Sequence, residues 1–486
     1  MSEQENRGAL IQRILTGARW ATMLRVVAQV VSWASTLIVV RYVSPADYGL
    51  NAMLESPMIL MMVVSTLGLE TALVQTSKVE LAALRSAFGF LLVLDSALFL
   101  LYFFGSSLIA AYFGEPRLDE LARVLAFLFL LIPFRVVPNA LLDRRLEFKL
   151  RAQVELVASV AAAAITLILA YFGAGVWALI LGVVLSRALQ TVILIVVRPW
   201  FVMPSFRFGQ VWEMVSLGSV VTIAGIIAML SDQLPSLIGG RKLGAEAIGV
   251  FALGAQLATI PLAKGMPILN QTLLPAFAKF QSDRTAASYY LQKLLGITAV
   301  VFFPLLVGMA AVAWIVVPTV FGPNWSGAVL PLTAMSIAML FRTNTFLLRS
   351  ALVAVGRADL SAIACAFQCA VMAIFVLIGV DHGVFGLVTA FICAEILSAC
   401  MTMWCAKRVF RLGVGRLFAA YRPSLISSFL MSAAISVANV LLGHGTGWIS
   451  LLISISIGAA VYVVVVRLVF RDAFDLAARV LLGGRG

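Results

Sequence analysis

Apolar runs of membrane length, repeated from one end of the chain to the other, constrain this fold more than any other feature. Trp20 to Val40 is apolar, a short polar turn follows (Arg41-Tyr42-Val43-Ser44-Pro45-Ala46-Asp47-Tyr48-Gly49-Leu50), and a second apolar run reaches Leu69. Each run has about the 20 apolar residues that a bilayer core requires. The pattern continues through the chain, which is 62% hydrophobic and 12% charged. A soluble domain has roughly 45–50% apolar and 25% charged residues. With a mean hydropathy of +1.05, the chain is an all-α polytopic membrane protein. About fourteen spans follow from length and hydropathy. They lie near 18–40, 48–69, 86–110, 121–141, 151–172, 176–197, 212–239, 246–270, 289–317, 325–348, 359–380, 384–406, 423–442 and 447–469. No connection is long enough for a soluble domain. Met1–Asn6 lacks the basic start of a signal peptide, and Arg7, Arg13 and Arg19 suggest a short interfacial helix before the first span.

The hairpin turn recurs two hundred positions later. Arg41–Met53 lies over Arg241–Leu253, with Arg41/Arg241, Gly49/Gly249 and Ala52/Ala252 identical. Gly173-Ala174-Gly175-Val176-Trp177-Ala178-Leu179 matches Asp381-His382-Gly383-Val384-Phe385-Gly386-Leu387 at an offset of 208. Spans 1–6 and 7–12 therefore read as two copies in one orientation, related by an axis along the membrane normal. The expected division is an N-lobe over 1–198, a C-lobe over 199–407, and a C-terminal helix pair with a tail over 408–486.

Lys and Arg alternate between loops. One set carries them from Arg7 and Lys78 through Arg144, Lys149, Arg198, Lys279 and Lys407 to Arg485. The alternate set carries Arg41, Arg117, Arg241 and Lys242. That asymmetry places both termini in the cytoplasm. The net charge of +13 is that of basic cytoplasmic loops and does not imply a nucleic-acid partner. Cys365, Cys369, Cys393, Cys400 and Cys405 lie in apolar runs with no metal-ligand spacing, and His382 and His444 stand apart from them. Neither a metal site, a disulfide nor a cofactor is expected.

The run Val40–Met53, followed by Leu67-Gly68-Leu69-Glu70-Thr71-Ala72-Leu73-Val74-Gln75, resembles the polysaccharide-transporter branch of the MOP superfamily, the Wzx-type flippases. In that family an acidic residue often precedes the Gly68 position, where this chain has Thr66-Leu67. The resemblance implies two pseudo-symmetric six-helix lobes around a central cavity, with spans 1, 2, 7 and 8 lining it. It also implies translocation of undecaprenyl-diphosphate-linked oligosaccharide across the bacterial inner membrane by alternating access, for exopolysaccharide, capsule or O-antigen synthesis. Expected partners are that glycolipid, membrane lipids and other polysaccharide assembly proteins.

Ionisable groups inside spans are costly and so are functional candidates. By span geometry Arg25, Arg135, Lys264 and Arg342 fall in the cytoplasmic half, and Glu55 and Asp232 in the periplasmic half; Asp95 and Arg123 break the pattern. The four cations would form a basic inner vestibule for a diphosphate, which Arg can grip as a fork. Glu55 and Asp232 would bind a coupling proton or sodium ion. The competing reading for the cations is snorkelling to the interface. Adding 208 to Arg187 lands on Glu395: opposite charges at one depth, as a pair across the lobe interface or each with a local partner. Two other functions fit a polytopic protein. A glycan polymerase or ligase would usually carry catalytic groups on a large outward loop, which is missing here. A MATE-like exporter of cationic drugs would favour an acidic cavity.

Overall fold

The computed structural model describes residues 3–66, 69, 73, 81–199, 202–207, 209–279, 284–411, 413–441, 445 and 447–471. Much of the Leu67–Gln75 motif lies outside them. Two units form, Met1–Met229 and Leu230–Gly486. The helices are α1 (Glu3–Tyr42), α2 (Pro45–Thr66), α3 (Leu81–Phe104), α4 (Ser106–Phe113), α5 (Arg117–Leu131), α6 (Pro133–Arg144), α7 (Phe148–Tyr171), α8 (Val176–Val197), α9 (Gly209–Lys279), α10 (Arg284–Val316), α11 (Val329–Ala354), α12 (Ala358–Gly379), α13 (Gly383–Phe410), α14 (Val414–Leu441) and α15 (Trp448–Val469).

Twelve segments among the described residues are long and apolar enough to cross a membrane. About fourteen separate spans are expected, and two pairs of these run together here as single long segments. Two segments exceed the length of one crossing: Gly225–Met266 has 42 residues and Ala358–Phe410 has 53, where one crossing takes about 20. Each contains a break at an expected turn. Gly244 sits at φ 83°, ψ 178° inside α9. A 3₁₀ turn, Val380–His382, separates α12 from α13. These turns are too short to leave a loop, so the apolar stretch runs on through them. The segment before the first span is likewise continuous with it in α1, not a separate interfacial helix. Pro133 divides the span Arg117–Arg144 into α5 and α6, as a missing backbone donor predicts.

Local chemistry explains the first hairpin. Ser44 Oγ accepts the backbone N–H of Asp47 at 3.1 Å and donates to Asp47 Oδ2 at 2.9 Å. Pro45 follows the cap at the first helical position, where its missing N–H leaves no bond unmade. The Asp47 carboxylate also lies 3.6 Å from Arg117. It leaves no room beside Gly175, where an added Cβ would come within 2.9 Å of Asp47 Oδ2 and φ is +55°. In the second unit Lys242 Nζ donates to Asp381 Oδ1 at 2.6 Å. Thus in each unit the first hairpin turn meets the turn of the other repeated motif, with different residues making the contact.

The second unit's core joins α10, α11, α13 and α14 through Leu291, Leu295, Leu347, Leu348, Ala351, Cys405 and Leu417. The C-terminal helices α14 and α15 pack on α10 through Val312, Ile315, Met431, Ile435 and Leu451. The Tyr462 hydroxyl pins α15 to α10 by donating to the Val300 carbonyl at 2.7 Å.

Candidate functional site

The first unit holds a polar cavity of about 350 Å³ between three helices. Arg25, Ala28, Gln29 and Ser32 of α1 line it, with Glu155, Ala158 and Ser159 of α7 and Ser186, Arg187 and Gln190 of α8. Spacings of three and four residues place each set on one helix face. The small residues among them leave the room.

The charges in and around this cavity form a chain. Arg25 Nε lies 3.3 Å from Glu155 Oε2, and Arg151 Nε lies 3.2 Å from Glu155 Oε1. Arg151 also pairs with Asp143. Beyond Arg25, Arg187 and Arg135 both donate to the side-chain oxygen of Gln190, at 3.3 and 3.4 Å. Arg187 has no carboxylate within ion-pair distance among the described residues. Two guanidinium groups that line the cavity, Arg25 and Arg187, thus face one lining carboxylate, Glu155, and Arg135 is a further donor to Gln190. The cavity is net cationic, and planar guanidinium forks match the oxygens of a phosphate.

The second unit holds a different cluster. Arg342 of α11 pairs with Asp232 of α9 and lies 3.6 Å from Glu395 of α13. Gln368 of α12 donates to Glu395 Oε1 at 2.9 Å. Glu395 is fully buried, and its Oε2 has no partner in the described residues. Nearby, Arg349 donates to the Ala364 carbonyl at 2.9 Å and to Ser398 Oγ at 3.4 Å.

Several expected placements change. Arg342 and Asp232, assigned by span geometry to opposite halves of the membrane, form an ion pair and share one depth. The reason is energetic: a lone charge there is expensive, and a long guanidinium side chain reaches the acid. Asp232 is thus not an isolated carboxylate, and Arg342 is already held by two acids. Glu55 is exposed and accepts a hydrogen bond from Asn51 at 3.0 Å, with no ion-pair partner among the described residues. Lys264 is an exposed residue of α9. Arg187 and Glu395 each find partners within their own unit: Arg187 joins the Arg25 cavity, and Glu395 joins Arg342. Asp95, buried in α3, accepts from Ser65 Oγ at 2.5 Å. Arg123 pairs with Asp119 at 2.7 Å and lies over Phe103.

Sequence reasoning passed over Glu155, Gln190 and Gln368. A signal for Glu155 existed in the i,i+4 spacing of Arg151 and Glu155, a pairing that helices favour. Gln190 and Gln368 gave none, because an uncharged amide inside a span becomes notable only once its neighbours are known.

The family described as polysaccharide biosynthesis protein matches residues 38–330. The chain belongs to this family. Among curated relatives of the family member, the lipopolysaccharide biosynthesis protein WzxC of Escherichia coli (strain K12) is 26% identical, over 90% of this chain and 88% of that one. The teichuronic acid biosynthesis protein TuaB of Bacillus subtilis (strain 168) is 25% identical, over 73% of this chain and 74% of that one. The fold matches the lipid II flippase MurJ in its inward closed conformation with a TM-score of 0.76 at 16% identity, covering 93% of this chain and 99% of MurJ. An inward-facing multidrug resistance MATE transporter of the MOP superfamily matches with a TM-score of 0.56 at 14% identity, covering 81% and 100%. This polysaccharide biosynthesis protein therefore shares the all-α, multi-pass fold of those two structures.

Proposed function

We propose that this protein flips an undecaprenyl-diphosphate-linked oligosaccharide across the bacterial inner membrane by alternating access, feeding the synthesis of exopolysaccharide, capsule or O-antigen. The observation that carries the reading is the cationic cavity of Arg25, Arg187 and Gln190, in a family member whose fold matches a lipid flippase. A diphosphate diester carries two negative charges, and guanidinium groups at membrane depth offer it bidentate partners that lipid tails do not. The work is translocation without bond chemistry, so the chain needs no catalytic group. The basic loop set faces the cytoplasm with both termini. The lobes that rock about the cargo are 1–198 and 199–407, with 408–486 appended. Glu55, a carboxylate without an ion-pair partner among the described residues, carries the coupling ion, a proton or sodium; Asp232, held by Arg342, has a positioning part.

The test is a strain lacking the chain. Lipid-linked oligosaccharide should accumulate on the cytoplasmic leaflet and surface polymer should disappear, both restored by the intact gene. Polymer at normal level, with the glycolipid in both leaflets, would overturn the proposal.

A further inference from the structure

The one carboxylate among the residues lining the cavity, Glu155, stands where an anionic ligand would bind. Glu155 divides its two oxygens between Arg25 at 3.3 Å and Arg151 at 3.2 Å. Both contacts are longer than a tight charge-assisted hydrogen bond of about 2.7–2.9 Å. The neighbouring pair Arg198–Glu147, outside the cavity, closes to 2.6 Å. Arg25 is half exposed, at 51%, so one side of its guanidinium remains open to a ligand. Arg187, on the facing helix, donates to the neutral Gln190 and has no ion-pair partner among the described residues. At about 350 Å³ the cavity sits at the small end of ligand pockets, roughly 300–1,000 Å³. It is sized for a charged headgroup and not for a whole glycolipid.

We propose that Glu155 is a resident counter-anion, displaced from Arg25 by the diphosphate of the cargo and returning to Arg25 when the cargo leaves. The inference rests on the flippase reading. Its logic is electrostatic. Arg25 is never left as a lone charge in a low-dielectric site, because one anion or the other always holds it. Arg151 keeps Glu155 close after displacement, itself fixed by Asp143. The displaced carboxylate then faces the diphosphate as a like charge and weakens its hold. Glu155 thereby limits affinity and speeds release, which a transporter needs more than tight binding.

The experiment uses the full-length protein in detergent, with inorganic pyrophosphate as the probe and calorimetry as the readout. Glu155→Gln should bind pyrophosphate about tenfold more tightly than wild type, the change that about 1.4 kcal/mol produces. Arg25→Ala should weaken binding by a similar factor, and the gain from Glu155→Gln should be smaller in the Arg25→Ala background, because part of that gain comes from freeing Arg25. Glu155→Asp keeps the charge and should retain wild-type affinity, which separates charge from folding. In cells, Glu155→Gln should export less polymer at equal protein level. Equal pyrophosphate affinity for wild type and Glu155→Gln overturns the proposal, as does tighter binding with unchanged export. Loss of pyrophosphate binding on adding phosphatidylglycerol would mark a lipid-headgroup site and overturn it also. The two readings fail separately: a deletion strain with normal polymer removes the flippase, whereas a deletion that stops export beside an inert Glu155→Gln removes only the counter-anion.

Discussion

At the scale of single residues, the two charge clusters predict opposite sensitivities. Arg342 lies between Asp232 and the fully buried Glu395. Truncating Arg342 to Ala leaves a buried carboxylate without its cation, a change that costs about 3–5 kcal/mol in buried pairs. The expected result is a large drop in the thermal unfolding midpoint of the detergent-solubilised protein, followed by size-exclusion chromatography after heating. Adding Glu395→Gln should return part of the loss by removing the stranded charge. Lys242 and Asp381 also pair, but in the open; such exposed pairs contribute about 0–1 kcal/mol. Lys242→Ala should therefore leave the midpoint nearly unchanged. Equal shifts for Arg342→Ala and Lys242→Ala would contradict the burial argument. On the proposed function, the charges of the first unit serve a ligand more than stability. Arg25→Ala and Arg187→Ala should each cut polymer export while the protein still reaches the membrane, and Arg25→Lys should recover part of the loss if charge matters more than the fork. Wild-type export by both Ala variants would remove the cavity from the transport path.

At the scale of elements, what the sequence made legible depended on how local the chemistry was. The Ser44-Pro45-Ala46-Asp47 turn is written in four consecutive residues, and the cap it forms is made by two of them. Ser44→Ala should lower stability by about 1 kcal/mol, the usual worth of such a cap, read as a small fall in the same unfolding midpoint. Gly175→Val should do more, because the position combines φ +55° with the Asp47 carboxylate against it; a midpoint unchanged in Gly175→Val would refute the close approach of the two turns. The expected repeat likewise rests on local sequence, since Arg41–Met53 and Arg241–Leu253 can be laid over each other by eye. Whether a turn leaves a loop was not legible. Gly244 and Val380–His382 break their helices within a few residues, and hydropathy averaged over a span cannot separate so short a break from a continuous helix. The cavity was legible only in its cations. Symmetry assigned Arg187 a depth but not a neighbour, and the neighbours are Gln190 on its own helix and Glu155 on α7. Which helix faces meet is decided by packing across long sequence separations, and nothing in a single strand of text records it.

At the scale of the whole molecule, the alternation of turns can be followed through the first unit by contacts alone. Asp47 meets Arg117 and packs against Gly175, gathering the turns after α1, before α5 and before α8 at one end. At the other end Arg144 donates to the Leu73 carbonyl at 2.9 Å, Arg151 pairs with Asp143, and Arg198 pairs with Glu147. Ser205 donates its N–H to the Arg85 carbonyl there at 2.9 Å. The turns thus sort into two groups, and the second group is the one rich in Lys and Arg. The positive-inside rule predicts that this end faces the cytoplasm. A reporter active only outside the cytoplasm should then be active when fused after Tyr112 or Gly322, and silent after Lys149 or Gly413. The Lys149 and Tyr112 fusions test the first unit, and Gly322 and Gly413 test the second. The parallel repeat expected from the sequence requires both units to give the same sense. Reversal in both would invert the protein and put the Arg25 cavity nearer the outer face, where a cargo made in the cytoplasm could not enter it first. Reversal in one unit alone would break the parallel repeat, since six crossings return the chain to the side from which it started.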